Sequence, residues 1–405
     1  MAATGTQALD DVAVVGTGAM GTGIAQVAAQ AGHAVHLVDT MPGAAEAARD
    51  RLATTLGKLA SKGKISLEQA DAATANLQVA DHLDRVPPCL VVIEAIREDL
   101  GDKCQLFGEL ADHQPRETIL ASNTSSLDIT EIATAIPHPE RVIGLHFFNP
   151  PPVMRLVEII RGDQHDHDDT SASLRAADTL MRAWGKTPVH CTSTPGFIVN
   201  RVARPFYGEA QRMVAAGVAD AATIDLALRE HAGFRMGPLE LTDLIGQDVN
   251  LAVGTSVWQQ TGQDPRYAPT DYQRDLVAAG HLGRKSGRGI FRYDESGRPL
   301  DASPDAARAE ELVGGPVETD PVARTLAMLV NEAVDLVARG EASADDVDIA
   351  MRLGTNYPKG PIEWGRAIGF DVVAGQLAQL DAAFPGGRYR PSPALEQQDE
   401  AIGHA

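Results

Sequence analysis

The sequence predicts an α/β protein: a doubly wound, mostly parallel sheet in the first half, then two all-α domains. Three observations carry that expectation. Short apolar runs alternate with helix-period segments up to about Thr192. A glycine-rich turn joins the first run to the first helix. Beyond Thr192 the apolar residues fall at helical spacing, and a set of residues there returns at a fixed offset.

Val12-Ala13-Val14-Val15 is the first run, breaking at glycines as a buried parallel strand does. Ile24, Val27, Ala28 and Ala31 then recur at helical spacing, and Gly32 closes that helix. Val35 to Val38 reads as the second strand. Further strands are expected at Leu90 to Ile93, Ile119 to Ser122, Val142 to His146 and Leu156 to Ile160.

A chain of 405 residues is too long for a single core. The expected division is a flexible tail over 1–10, the sheet domain over 11–192 and a first helical domain over 193–293. A linker over 294–319, rich in Pro, Gly, Ala and acids, leads to a second helical domain over 320–395. The second domain repeats the first. Arg201, Glu209, Gly217, Asp225, Gly237-Pro238, Glu240, Gly246 and Asp248 find the same residues at Arg324, Glu332, Gly340, Asp348, Gly360-Pro361, Glu363, Gly369 and Asp371. The offset is constant, 324 − 201 = 123.

Composition narrows the function. With 44% hydrophobic and 22% charged residues the chain has a soluble, globular make-up. A net charge of −20 excludes the basic footprint of a nucleic-acid binder. Any anionic substrate must instead meet a local basic patch. Arg51, Lys58, Lys62 and Lys64 form one, which reads equally well as a solvated helical face. Cys89, Cys104 and Cys191 make no CxxC pair, which suits a reducing cytoplasm; Cys104 and Cys191 are expected to pack as small hydrophobes. No apolar run is long enough for a membrane span, and the first ten residues lack the pattern of a signal peptide. Asp163 to Asp169 is expected to be an exposed polar loop and not a metal site.

Gly16-Thr17-Gly18-Ala19-Met20-Gly21 follows a strand, opens a helix and leads to Asp39 at the end of the next strand. That context makes it a Rossmann-like dinucleotide site. Gly16 permits the turn, Gly18 admits a pyrophosphate to the backbone, and Gly21 lets the helix approach the sheet. The carboxylate of Asp39 suits the ribose hydroxyls and repels a 2′-phosphate, so NAD is expected over NADP. A second constellation is Ser122-Asn123-Thr124-Ser125-Ser126, then Gly144 to Pro150, then Val157-Glu158. Polar residues that end strands of one parallel sheet gather at its carboxyl edge. There His146 is as readable as a general base as it is as a structural histidine, with Glu158 on the next strand. Asn200, entering the helical domain, reads as a helix cap or as a residue reaching across the cleft.

These motifs together resemble the 3-hydroxyacyl-CoA dehydrogenase family, from Val12 to about Leu395. The resemblance rests on GxGxMGxGIAQ (Gly16 to Gln26), SNTSS, GLHFFNP, STPGFIVNR (Ser193 to Arg201) and GRKSGRGIF (Gly283 to Phe291), in this order. It implies a Rossmann-like domain followed by two copies of the family's all-α C-terminal domain, the second non-catalytic. His146 is then the base and Glu158 orients it, while Ser125 and Asn200 hold the reacting oxygen of the substrate. Gly16, Gly18, Ala19, Met20, Gly21, Asp39, Glu98, Lys103, Asn149 and Lys285 would bind NAD, and Lys58 would contact coenzyme A. The implied partners are an acyl-CoA, no nucleic acid and no membrane. A homo-oligomer is open, with the two helical copies packing within one chain. Asn200 to Tyr207 and Gly233 to Asp248 are similar to the branch that oxidises 3-hydroxyadipyl-CoA in phenylacetate breakdown; 3-hydroxybutyryl-CoA and fatty-acid β-oxidation are the neighbouring expectation. Two other readings stay open, an oxidoreductase for another small hydroxy acid and a non-catalytic NAD-binding protein. Ser125, His146, Glu158 and Asn200 occurring together speak against both.

Overall fold

The computed structural model describes residues 9–165 and 171–395. Most of the expected tail, and 166–169 of the expected polar loop, lie outside the described residues. The chain forms two compact units, the first ending at Ser193 and the second beginning at Thr194. Among the described residues no helix is long and apolar enough to cross a membrane.

Among the described residues the first unit holds eight strands. They are β1 (Val12–Val15), β2 (Val35–Val38), β3 (Leu77–Val79), β4 (Val91–Glu94), β5 (Ile119–Ser122), β6 (Val142–Phe147), β7 (Leu156–Arg161) and β8 (Thr187–Thr192). Their order is β3-β2-β1-β4-β5-β6-β7-β8, and only β6 and β7 run antiparallel to each other. The α-helices among its described residues are α1 (Ala19–Gln30), α2 (Ala44–Ser61), α3 (Leu67–Ala75), α4 (Leu100–His113), α5 (Ile129–Ala133) and α6 (Ala172–Ala183). Val12, Val14, Leu37, Ile93, Ile143 and Leu145 are fully buried. Covered on both faces, the central strands are unbroken apolar runs, which is why the sequence shows them. The strand order turns between β1 and β4, so the carboxyl ends there open a crevice of the kind in which ligands of such sheets bind.

Two strands were not anticipated. β3 is only three residues long, and β8 (Thr-Pro-Val-His-Cys-Thr) has no apolar run. As the last strand of the sheet β8 can carry Pro188, which removes a donor that an edge can spare.

The second unit is helical: α7 (Val199–Val202), α8 (Arg204–Ala215), α9 (Ala221–Ala232), α10 (Pro238–Ile245), α11 (Gln247–Gln260) and α12 (Asp271–Ala278), then α13 (Ala306–Leu312), α14 (Pro321–Ala338), α15 (Ala344–Thr355), α16 (Pro361–Ile368) and α17 (Phe370–Ala383). The repeat has a physical cause. Asp225 on α9 accepts the Leu239 and Glu240 N–H groups that open α10, at 3.0 and 2.8 Å. Asp348 on α15 accepts those of Ile362 and Glu363 opening α16, at 2.8 and 3.0 Å. A Cβ on Gly237 or Gly360 would lie 2.1 or 2.0 Å from the capping aspartate, so each Gly-Pro pair supplies the space and then the first helical residue.

α8 and α14 pack against each other with exchanged charges. Glu332 of α14 accepts from Arg201 (2.5 Å), Tyr267 (2.6 Å) and Arg266 (3.3 Å). Glu209 of α8 accepts from Arg324, Tyr389 and Arg388, each at 2.8 Å. Each copy thus inserts one buried carboxylate among the cations of the other, the reciprocity of a two-fold contact.

The segment expected as a linker, 294–319, carries a helix of its own. α13 lies within 294–319 and packs on α9, with Ala309 and Leu312 buried and the Asp305 N–H donating to Thr223 Oγ1 at 2.9 Å. Seven residues are too few to display a helical period, so composition alone suggested a tether.

Candidate active site

The β6–β7 ladder assembles the centre of the site. Its register sets His146 opposite Glu158, and side chains on directly opposed residues of an antiparallel pair share a face. His146 Nδ1 lies 2.6 Å from Glu158 Oε2, with His146 7% exposed and Glu158 fully buried. A buried carboxylate fixes the proton on Nδ1 and leaves the lone pair on Nε2. The Phe148 ring packs 4.6 Å from the imidazole, centroid to centroid. The β5–β6 ladder ends at Ser122 and Gly144, short of His146. Asn123 continues it: its Oδ1 accepts the Phe147 N–H at 2.9 Å and holds the end of β6 in line.

Glu98 organises the serine-rich loop after β5. Its Oε1 accepts from Thr124 Oγ1 (2.7 Å), the Ser125 N–H (2.9 Å) and Ser126 Oγ (3.1 Å). Burial works against the charge on Glu98. The Thr124 hydroxyl and the Lys103 ammonium nevertheless hold its pKa below the ordinary value. Lys103 is 1% exposed and sits between Glu94 (2.5 Å) and Glu98 (3.4 Å).

The glycine loop fits a dinucleotide. Gly16 has φ +95°, and a Cβ there would lie 2.6 Å from the Ala95 carbonyl; one on Gly21 would lie 1.8 Å from that of Gly16. A Cβ on Gly18 would meet no protein atom within 4 Å, so the chain's own packing does not demand glycine there. What remains is an open approach to the first turn of α1, where Ala19 and Met20 lie and helix N–H groups lack intrahelical partners. Asp39 accepts from Thr17 N (2.7 Å), Thr17 Oγ1 (2.6 Å) and Met41 N (3.0 Å). Partial burial raises its pKa less than these hydrogen bonds lower it, so it stays ionised and keeps acceptor capacity for a ribose. Asn149 is exposed beyond β6, and its bond to Pro150 is cis.

In the helical unit Asn200 lies inside α7 and does not cap it, since the N-cap is Ile198. Lys285 pairs with Asp248 at 2.6 Å in the loop after α12. That loop is held by Asp243, 1% exposed, which accepts from Ile290 N, Phe291 N and Tyr293 Oη at 2.9 Å each. Lys58 is exposed on α2 beside Arg51 and Lys62, and among the described residues none of the three has an ion pair. Cys191 is buried; Cys104, expected to pack likewise, is half-exposed. No group of three or more His, Cys, Asp or Glu able to hold a metal occurs among the described residues. Sequence reasoning passed over Glu94, and it included Asn123 and Asp243 only within motifs, without a role of their own. For Glu94 a signal existed, a carboxylate closing an otherwise apolar strand.

The family model for the 3-hydroxyacyl-CoA dehydrogenase NAD-binding domain matches residues 11–194. The model for the C-terminal domain matches twice, at 196–293 and 321–402. The chain belongs to the 3-hydroxyacyl-CoA dehydrogenase family. It is an NAD-dependent oxidoreductase that oxidises 3-hydroxyacyl-CoA thioesters. It is 38% identical to 3-hydroxyadipyl-CoA dehydrogenase of Escherichia coli, over 96% of this chain and 97% of that one. A probable 3-hydroxybutyryl-CoA dehydrogenase of Bacillus subtilis is 42% identical, over 71% of this chain and 98% of its own. The crystal structure of an Escherichia coli 3-hydroxybutyryl-CoA dehydrogenase superposes with a TM-score of 0.86 at 37% identity, covering 97% of this chain and 98% of that one.

Proposed function

We propose that His146 is the general base that converts a (3S)-3-hydroxyacyl-CoA to the 3-ketoacyl-CoA, and that 3-hydroxyadipyl-CoA of phenylacetate breakdown is the physiological substrate. The observation that carries the catalytic reading is the buried 2.6 Å contact between His146 Nδ1 and Glu158 Oε2, at the carboxyl edge of the sheet that bears the glycine loop. His146 Nε2 takes the hydroxyl proton, and the Glu158 carboxylate at Nδ1 stabilises the imidazolium that forms. Ser125 and Asn200 donate to the substrate oxygen as it becomes a carbonyl. NAD, when bound, supplies the hydride acceptor. Gly16, Gly18, Ala19, Met20, Gly21, Asp39, Glu98 and Asn149 of the first unit would hold it, backed by Lys103, with Lys285 contributed by the helical unit.

Lys58, with Arg51 on the same helix and Lys62 at its C-cap, is assigned to the coenzyme A phosphates. It offers a local positive field on a chain whose net charge of −20 repels anions elsewhere. The adipyl assignment is supported by the Escherichia coli relative, whose match spans both helical copies. The cytoplasm is the compartment proposed. The test is kcat/KM with NAD across a panel of 3-hydroxyacyl-CoAs. The adipyl thioester is expected to be highest; a higher value for the butyryl one assigns the enzyme to short chains instead, and inactivity on the whole panel sinks the catalytic reading.

A further inference from the structure

β4 ends on a charge that its surroundings do not lead one to expect. Val91, Val92 and Ile93 are buried hydrophobes, and Glu94 follows them with no exposure at all. Both of its carboxylate oxygens accept hydrogen bonds. Oε1 accepts Lys103 Nζ at 2.5 Å and the Ile96 N–H at 2.7 Å, and Oε2 accepts the Ser122 hydroxyl at 2.6 Å. The Asn123 N–H binds the Glu94 carbonyl at 2.8 Å. Glu94 therefore grips the root of the serine-rich loop with its backbone and its side chain.

The second grip runs through Lys103. An ammonium this deeply buried persists only beside a counter-charge, and Glu94 supplies it. Lys103 in turn faces Glu98 at 3.4 Å, and Glu98 collects Thr124, Ser125 and Ser126. The contacts form one unbroken line: carboxylate, ammonium, carboxylate, loop.

We propose that Glu94 is a positioning residue for the reaction: through Ser122 and through Lys103 and Glu98 it fixes where Ser125 presents its hydroxyl. The proposal rests on the reading of Ser125 as a ligand of the reacting oxygen. A stabilising role alone is a poor explanation of the pair, because a buried ion pair replaced by apolar groups of similar volume is often as stable or more so. Placement is different, since an error of about 1 Å at a reacting group can cost on the order of 100-fold in rate.

The test uses two variants of the full chain. Glu94→Gln combined with Lys103→Met removes both buried charges together, and Glu94→Asp keeps the charge but shortens its reach. Thermal midpoints and kcat/KM for 3-hydroxybutyryl-CoA with NAD are measured on both. The double variant is expected to melt near wild type while kcat/KM falls on the order of 10- to 100-fold, chiefly through kcat. Glu94→Asp, whose ion pair survives, is expected to fold and to lose on the order of tenfold. Wild-type kcat/KM in either folded variant overturns the role of Glu94. A wild-type enzyme inactive on every acyl-CoA overturns instead the reading on which the proposal rests.

Discussion

At His146 the geometry makes a one-residue demand. Nδ1 is committed to Glu158, so only Nε2 can accept a proton. Replacing His146 by Gln removes the proposed base and spares the glycine loop, and kcat is expected to fall by on the order of 10²–10⁴-fold. NADH affinity, read by fluorescence titration, should stay within about twofold, because the dinucleotide is assigned to the glycine loop and Asp39 and not to His146. A variant retaining more than half of wild-type kcat would falsify the assignment. Asp39 makes a second demand. Its ionised carboxylate suits ribose hydroxyls and repels a 2′-phosphate, so Asp39→Ala is expected to raise kcat/KM with NADP relative to NAD; an unchanged ratio rules that out. Both residues were legible because each ends a strand beside a motif with its own spacing. Glu94, Asn123 and Asp243 were not. Asn123 binds a residue 24 positions away, and Asp243 binds a loop 47 to 50 positions away. Those pairings exist only once the strand order and the fold of the helical unit are known.

Among elements, the pair α8 and α14 places the strongest electrostatic demand on the fold. Burial pushes the Glu209 pKa up, but Arg388 and Arg324 beside it outweigh that and hold it at about 2. A folded pKa below the ordinary 4.5 means a contribution fully present above about pH 4.5 and lost as pH falls towards 2. Glu209→Gln leaves two arginines buried without their counter-charge, and should cost about 3 kcal/mol or more at pH 7. Urea unfolding at a series of pH values should show that loss together with a shallower decline between pH 4.5 and 2. An equally steep decline in the variant would place the acid sensitivity elsewhere. Asp225 acts with the opposite sign. Complete burial raises its pKa to about 7 despite the two N–H groups it caps, so it costs stability progressively as pH rises from its ordinary 3.8. The repeat that contains these residues was readable because identical side chains do identical work in each copy. β3, β8 and α13 escaped because three residues, an edge strand with a proline, and a seven-residue helix show no periodicity to read.

Across the whole molecule the open question is what the second helical copy is for. It carries Ala323 where the first carries Asn200, so it lacks the polar group assigned to the substrate oxygen. Yet Leu329, Val330, Ala333 and Val334 of α14 are fully buried, and every partner of the Glu209 carboxylate named above comes from the second copy. Relatives such as the Bacillus subtilis protein match over 98% of their own length and 71% of this chain, and in a chain with a single helical copy the corresponding face would need another cover. A second subunit is the simplest cover, and a two-fold contact would exchange the same carboxylate and arginine in both directions, as the two copies do here. Truncation after Thr319 should therefore expose an apolar face and strip Glu209 and Arg201 of the counter-charges that the second copy supplies. The truncated chain is expected to dimerise or aggregate, while the glycine loop and Asp39, both in the first unit, still bind NADH. Light scattering of the truncated and full-length proteins distinguishes the outcomes. A truncated chain that stays monomeric, soluble and fully active would show that the second copy does not serve as an internal partner for the first.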